Sequence, residues 1–224
     1  MKIIFFSLFP DIIHSYFQNG VLSKALAKNL FEIEVVNFRD FAKNRYKKVD
    51  TSIVGGGAGM ILDNEALREA LSEYKKKYPF ARVIFLTPVG KKYNQKDAIR
   101  LAKEDVIFLV SGRYEGFDER LIEDFASEVM SIGDFVLSGG ELGALCIADS
   151  VLRNVDGVLG NRESLKEESF NNNLLEAPQF SKMGDVPLIL KSGNHKKIKE
   201  WKTKAALYKT LFHRPDLKME KNLV

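Results

Sequence analysis

Along the chain, short apolar runs alternate with amphipathic stretches. Five runs, at residues 2–9, 32–38, 82–87, 105–111 and 128–132, are rich in Val, Ile and Phe. Several are apolar almost throughout, as strands covered on both faces must be. Between them the spacing predicts helices. Residues 63–77 carry Leu67, Ala70, Leu71 and Tyr74 at helical intervals, with Asp63 or Asn64 as N-cap. Residues 117–125 and 141–155 read the same way. Strands alternating with helices predict an α/β domain with a mainly parallel sheet, spanning residues 1–159.

After it the pattern changes. Residues 160–173 are polar and charged without a period and read as an interdomain linker. Residues 174–224 read as a small helical domain. Within it, 194–212 forms a basic amphipathic helix with Ile198, Trp201, Ala205, Tyr208, Leu211 and Phe212 on one stripe, stopped by His213-Arg214-Pro215. Between Lys191 and Lys221 stand ten Lys/Arg against three Asp/Glu, a local net of +7 in a chain whose total is +4. A nearly neutral body with a basic tail is the footprint of a phosphate-rich partner, and a solvated helix face is the alternative.

Composition adds exclusions. With 45% hydrophobic and 29% charged residues in 224, the chain is neither disordered nor a disulfide-stapled miniature. Its longest apolar runs, such as 106–110, fall far short of the roughly 20 residues of a membrane span. The first ten residues hold one positive charge and no small-residue cleavage site, and so read as a first strand. Cys146 has no partner for a disulfide and is expected as a buried helical thiol. The cytoplasm is the default compartment.

Glycines gather after the predicted strands: 55, 56, 57 and 59; Gly90; Gly112 and Gly116; Gly133, Gly139 and Gly140. At the carboxyl ends of strands they let backbone approach a ligand closely. Neither a G-x-G-x-x-G fingerprint nor a G-x-x-x-x-G-K-[ST] loop is present, so the dinucleotide and P-loop readings lose support. The three histidines have no metal-ligand spacing, and no G-x-S-x-G elbow exists. Glu115, Arg153 and Glu167-Glu168 remain as ionisable candidates, although each taken in isolation reads as an ordinary surface charge.

The stretch Ser111-Gly112-Arg113-Tyr114-Glu115-Gly116-Phe117-Asp118-Glu119-Arg120 resembles the signature of the bacterial tRNA (guanine-N1)-methyltransferase family of the SPOUT superfamily. Further matches stand in family order, among them Ser7-Leu8-Phe9-Pro10, Arg39-Asp40-Phe41, Val49-Asp50, residues 55–60 and 131–141, Gly157-Val158-Leu159-Gly160, Ser192-Gly193-Asn194-His195 and Arg214-Pro215-Asp216-Leu217. The resemblance covers essentially the whole chain.

It implies an α/β domain whose C-terminal part forms a trefoil knot, followed by a small helical domain. It also implies a homodimer whose sites are completed by the partner chain, and methylation of N1 of guanosine 37 in tRNA. S-adenosylmethionine is then expected in a pocket of three loops. The first holds Leu86, Thr87, Pro88 and Gly90. The second holds Gly112, Tyr114, Glu115 and Gly116. The third holds Ser131, Ile132, Gly133, Asp134, Phe135, Val136, Leu137, Gly139 and Gly140. A ligand with an adenine and no phosphate fits loops that lack a phosphate cradle.

By the same resemblance Arg153 stabilises charge developing on the guanine. Glu168, before Ser169-Phe170, stands where the family keeps a general-base aspartate, with Glu167 as the alternative. Arg45, Asp50, Lys197, Lys199 and Lys202 are the implied RNA contacts, and phosphate neutralisation is what gives lysines that role. The family's Mg2+ dependence is implied too, with acidic groups near Glu115 and the base, although the sequence shows no metal site. Two departures stand out: Glu for Asp at 168, and Ala177-Pro178-Gln179-Phe180-Ser181 where the family reads Cys-Pro-His-Tyr-Thr. Glu168 is the feature that keeps a non-catalytic RNA-binding protein as the alternative reading.

Overall fold

The computed structural model describes residues 1–160 and 168–219. The chain divides into two compact units, Met1–Gly160 and Asn161–Val224. Half of the expected linker, 161–167 with Glu167, lies outside the described residues.

The first unit is built on a five-stranded sheet. Its strands are β1 (Lys2–Phe6), β2 (Glu32–Val36), β5 (Arg82–Lys92), β6 (Val106–Ser111) and β7 (Glu128–Ser131), in the order β2-β1-β6-β5-β7 and all parallel. Alternation along each strand sends side chains to two cores. Ile3, Phe5, Ile84, Leu86, Ile107 and Leu109 face one side, against α1 (Pro10–Tyr16), α2 (Gly20–Ala27) and α6 (Glu141–Leu152). Ile4, Phe6, Val83, Phe85, Phe108 and Val110 face the other, against α3 (Asn64–Lys77) and α5 (Glu119–Phe125). Both faces are covered, which is why these strands read as nearly continuous apolar runs.

The helices start where local chemistry starts them. Asp63 caps α3 by accepting from the Glu65 N–H. Asn94 and Asp97 form a reciprocal capping box at α4 (Gln95–Leu101). Asp118 caps α5, which begins at Glu119, two residues later than its apolar pattern suggested. Helix α6 ends at Leu152 with Arg153 as its C-cap, so 153–155 are not helical.

Several expectations are corrected. The strand expected over 2–9 ends at Phe6, because the chain turns at Ser7 into α1 with Pro10 as its first residue. The run expected over 32–38 ends at Val36 and continues as a 3-10 turn, Phe38–Phe41. The short helices α1, α2 and α4 lacked enough turns to show a period. The two-stranded pair β3 (Asp50–Ser52) and β4 (Met60–Leu62) was hidden in the glycine-rich stretch. Cys146 is helical, as expected, but exposed. It lies one turn beyond Leu142 on the α6 stripe turned away from the sheet, while Ala144, Ile147, Ala148 and Val151 fill the core.

Among its described residues the second unit contains two 3-10 turns, Asn171–Asn173 and Leu188–Lys191, then α7 (His195–His213) and α8 (Asp216–Met219). Asn194 caps α7 by accepting from the Lys197 N–H. The expected apolar stripe is packed only in part: Ile198, Trp201 and Ala205 are half-buried, Tyr208, Leu211 and Phe212 are exposed, and Ala206 and Thr210 are the buried positions of the helix. The Leu175 N–H donates to Thr210 Oγ1 (2.9 Å), and a backbone donor reaching that hydroxyl selects a small polar face over the aromatic one.

Candidate functional site

The three glycine loops are an excursion within β5 and the segments that follow β6 and β7 at their carboxyl ends, and these strands are neighbours in the sheet. Their convergence is therefore a consequence of strand order, at the edge where open parallel sheets bind ligands. Between them lies a cavity of about 320 Å³, in the range of small-molecule sites.

The first loop is an excursion from within a strand. β5 pairs with β7 through Leu86–Met130, leaves the ladder, and returns with Lys91 also opposite Met130 and Lys92 opposite Ser131. Residues 87–90 are thus extruded toward the cavity, which Leu86, Thr87, Pro88 and Val89 line. Gly90 does not line it. A Cβ there would stand 2.5 Å from Met130 N, so this glycine lets the returning strand press on β7.

An ion cluster pins that return. Lys91 Nζ lies 2.7 Å from Asp97 Oδ1, and Arg100 bridges from Asp97 (3.2 Å) to Glu128 at the start of β7 (2.7 Å). Burial alone would raise the Asp97 carboxyl; hydrogen bonds from Lys91 and Arg100 outweigh it and hold the group below the usual carboxylate range.

The second loop contributes Gly112, Arg113, Tyr114, Glu115, Gly116 and Phe117. Tyr114 adopts a left-handed backbone (φ 57°). The β3–β4 pair holds this loop through Glu115 N–H to Met60 C=O (2.9 Å) and Leu62 N–H to Gly116 C=O (3.2 Å). The Phe117 ring packs edge-on to Phe85, centroids 4.9 Å apart, and anchors the loop in the core.

The third loop brings Ser131, Ile132, Val136, Leu137, Ser138, Gly139 and Gly140 to the cavity. Gly133, Asp134 and Phe135, also expected there, do not line the cavity itself: the Gly133 C=O accepts from Ser131 Oγ, Asp134 pairs with Lys92, and Phe135 is half exposed. The second and third loops meet where the Gly140 N–H donates to the Gly112 C=O at 2.8 Å. A Cβ on Gly140 would lie 2.8 Å from Gly112 N and Ser111 Cα, so main chain is packed on main chain. Val89, Arg113 and Ser138 also line the cavity, within the expected loops though not singled out there, and Phe117, Met130 and Gly143 line it from outside them. Phe117 stands inside the Ser111–Arg120 signature and was within reach; Met130 and Gly143 belong to a strand and a helix whose facing only packing decides.

Arg153 closes α6 in the first unit, and Glu168 opens the described part of the second. The segment after Glu168 is folded on itself. The Asn171 N–H donates to the Glu168 C=O, Ser169 Oγ accepts from the Glu176 N–H, and the Phe170 ring lies 5.8 Å from the Arg214 guanidinium. Of the expected RNA contacts, Arg45 is exposed over the Tyr46 ring, and Asp50 opens β3 opposite Leu62. Lys197 and Lys199 are exposed on α7, and Lys202 is half-buried. Beside them Pro178, Trp201, Tyr208 and Phe212 form an apolar groove rimmed by Lys204, Lys209 and His213.

Among the described residues no group of three or more His, Cys, Asp or Glu is placed to hold a metal ion, and no helix is long and apolar enough to cross a membrane.

The fold is that of an α/β protein with a cavity at the ends of adjacent parallel strands. The chain belongs to the tRNA (guanine-1)-methyltransferase TrmD family, whose family model matches residues 1–220. It is 52% identical over 229 residues to a tRNA (guanine-N(1)-)-methyltransferase of Campylobacter jejuni, covering 98% of both chains. It is 50% identical to proteins of the same name from Nitratiruptor sp. (98% of this chain, 99% of the relative) and Helicobacter pylori (97% of each).

Proposed function

We propose that this protein transfers a methyl group from S-adenosylmethionine to N1 of guanosine 37 in tRNA, beside the anticodon. Membership of the family over residues 1–220, joined to a cavity of the right size at the ends of β5, β6 and β7, carries the reading.

The residues present fit the donor. The cavity is lined largely by backbone and apolar side chains, and Gly140 against Gly112 brings main-chain groups as close as they can come. An adenine is recognised well by such groups, and the donor has no phosphate that would call for a glycine-rich phosphate cradle. When bound it supplies an electrophilic methyl on a sulfonium sulfur. Leu86, Thr87, Pro88, Gly112, Tyr114, Glu115, Gly116, Ser131, Ile132, Val136, Leu137, Gly139 and Gly140 are assigned to hold it, so that in-line geometry is set by binding. Gly90, Gly133, Asp134 and Phe135 stand in the same loops and remain assigned to the donor site, although they do not line the cavity itself. The same reading makes the second and third loops part of a trefoil knot, supported by the hydrogen bond from Gly140 to Gly112.

Guanine N1 carries a proton and cannot attack until it is removed. Glu168 is assigned as the general base that takes it, and Arg153 as the cation that steadies the negative charge spreading onto the purine. The second unit, with the lysines of α7, is assigned to the tRNA backbone together with Arg45 and Asp50. A homodimer that completes each site is part of the reading. It is supported by the exposed Ile12 and Tyr16 of α1 and Leu142 and Cys146 of α6, the helix α1 packs against. Mg2+ is part of what the resemblance implies, and among the described residues no group of three or more acidic side chains gathers to hold it. The cytoplasm, where tRNA is modified, is the proposed location.

The test is single-turnover methylation of a tRNA transcript with the modified base mapped. Wild type is expected to methylate N1 of guanosine 37. Glu168→Gln keeps size but cannot take the proton, so its rate should fall roughly 10²–10⁴-fold. Donor and tRNA affinities should stay near wild type. A Glu168→Gln variant as fast as wild type overturns the base assignment. Tight binding of NAD or ATP with none of S-adenosylmethionine overturns the donor.

A further inference from the structure

We propose that Glu141 is a positioning residue for the methyl-donor pocket, acting through Arg113 in a buried strut that begins at Ser7. This rests on the donor reading of the cavity.

Three side chains distant in sequence meet behind the pocket. Ser7, fully buried at the exit of β1, donates from Oγ to Glu141 Oε1 at 2.8 Å and accepts from the Phe9 N–H at 2.9 Å. Glu141 is 1% exposed and is the first residue of α6, where a carboxylate is favoured by the helix N-terminus. Arg113 Nη2 stands 2.9 Å from Glu141 Oε2, at ion-pair distance but off the line of a hydrogen bond. Arg113 Nη1 donates to the Ser138 C=O at 3.1 Å, and the guanidinium lies 4.3 Å from the centre of the Phe9 ring. Gly139 leaves room for it: a Cβ there would fall 2.3 Å from Arg113 Nε.

The third loop needs such a support. Phe135, Val136 and Leu137 are exposed, Val136 at 82%, so apolar packing does not hold this stretch. Its base is tied instead by Ser138 to Arg113 and by Gly140 to Gly112. Arg113, in turn, is aimed by a carboxylate that Ser7 fixes. An ion pair buried this deeply contributes little net stability, because desolvation offsets attraction. What it does supply is geometry: it sets where a guanidinium, and through it a loop carbonyl, can stand.

Glu141→Gln retains volume and the bond from Ser7 while removing the charge that aims Arg113. Ser7→Ala leaves the charge and removes its anchor. Leu67→Ala, in the opposite core, serves as a stability control. Calorimetric titration with S-adenosylmethionine, well below each variant's Tm, should show Glu141→Gln weakened by about 10- to 100-fold and Ser7→Ala by less. KM for the donor should rise in parallel, with kcat and KM for tRNA nearly unchanged. Leu67→Ala should lose Tm and keep wild-type affinity. Wild-type affinity in folded Glu141→Gln overturns the strut. If that variant does not fold, wild-type affinity in Ser7→Ala overturns it instead. A wild-type protein that binds no S-adenosylmethionine defeats the donor reading; binding that is equal in wild type and both variants defeats only the strut.

Discussion

Gly140→Ala isolates the contact between the second and third loops. Gly140 has φ −79°, a conformation alanine adopts freely, so its cost is steric alone. The new methyl would lie 2.8 Å from Gly112 N and Ser111 Cα. Reaching an ordinary separation of about 3.4 Å moves one main chain against the other by about 0.6 Å. The same shift stretches the 2.8 Å bond from Gly140 to Gly112 toward the limit of hydrogen bonding. Overpacking costs about 1–3 kcal/mol and the broken bond about 1 kcal/mol, together about 2–4 kcal/mol. For a chain of this size that lowers Tm by about 5–15 °C. A pocket wall displaced by half an ångström or more should also weaken S-adenosylmethionine about tenfold or more. Gly160→Ala is the control, since a Cβ there meets nothing within 4 Å. Thermal melts and calorimetric titration read both effects. Gly140→Ala with wild-type Tm and affinity would refute the close-packed crossing.

The remaining outcomes concern the tail, the strand return and pH. Replacing Lys197, Lys199 and Lys202 with Ala should weaken tRNA binding and flatten its salt slope by about one unit for each phosphate no longer neutralised, leaving donor affinity unchanged; an unaltered slope returns α7 to a solvated face. Asp97→Asn removes the partner of Lys91 and Arg100, and because both cations are more than a third exposed the cost should be about 1–3 kcal/mol, read by denaturant titration. The Asp97 carboxyl is held low, so its contribution is present above the unfolded carboxylate pKa of about 3.9 and disappears as pH falls through the lower folded value; the gap between wild type and Asp97→Asn should therefore be constant at neutral pH and close below about pH 4. A gap that widens on acidification would contradict the sign. Gly90→Ala should act through β7, lowering Tm, because its Cβ would strike Met130 backbone; a drop in donor affinity with no change in Tm would refute that packing role.

Much of the fold was legible because its determinants are local. A strand covered on both faces must be apolar along its length, so all five sheet strands showed themselves as runs. Helices α3, α5, α6 and α7 were readable from apolar positions at helical spacing, with Asp63 or Asn64 marking the start of α3. The glycine loops were legible as a set, since glycine after a strand marks where backbone must come close. What remained hidden depended on partners far along the chain. Gly90 looked like a ligand contact, and only the return of β5 beside Met130 showed that it also packs. Cys146 was misread, and the packed face of α7 read only in part, because a helix can carry more than one plausible stripe, and the choice belongs to what it meets. Glu141 gave no signal at all: its role exists only where β1, the second loop and the start of α6 bring Ser7 and Arg113 to the same carboxylate, across 134 and 28 positions of chain. Sequence alone determined the five sheet strands, the longer amphipathic helices and the place of close backbone approach, because these follow from each residue and its neighbours. Tertiary structure alone decided which faces are covered and which charges meet, because burial and pairing are properties of two surfaces and cannot be read from one.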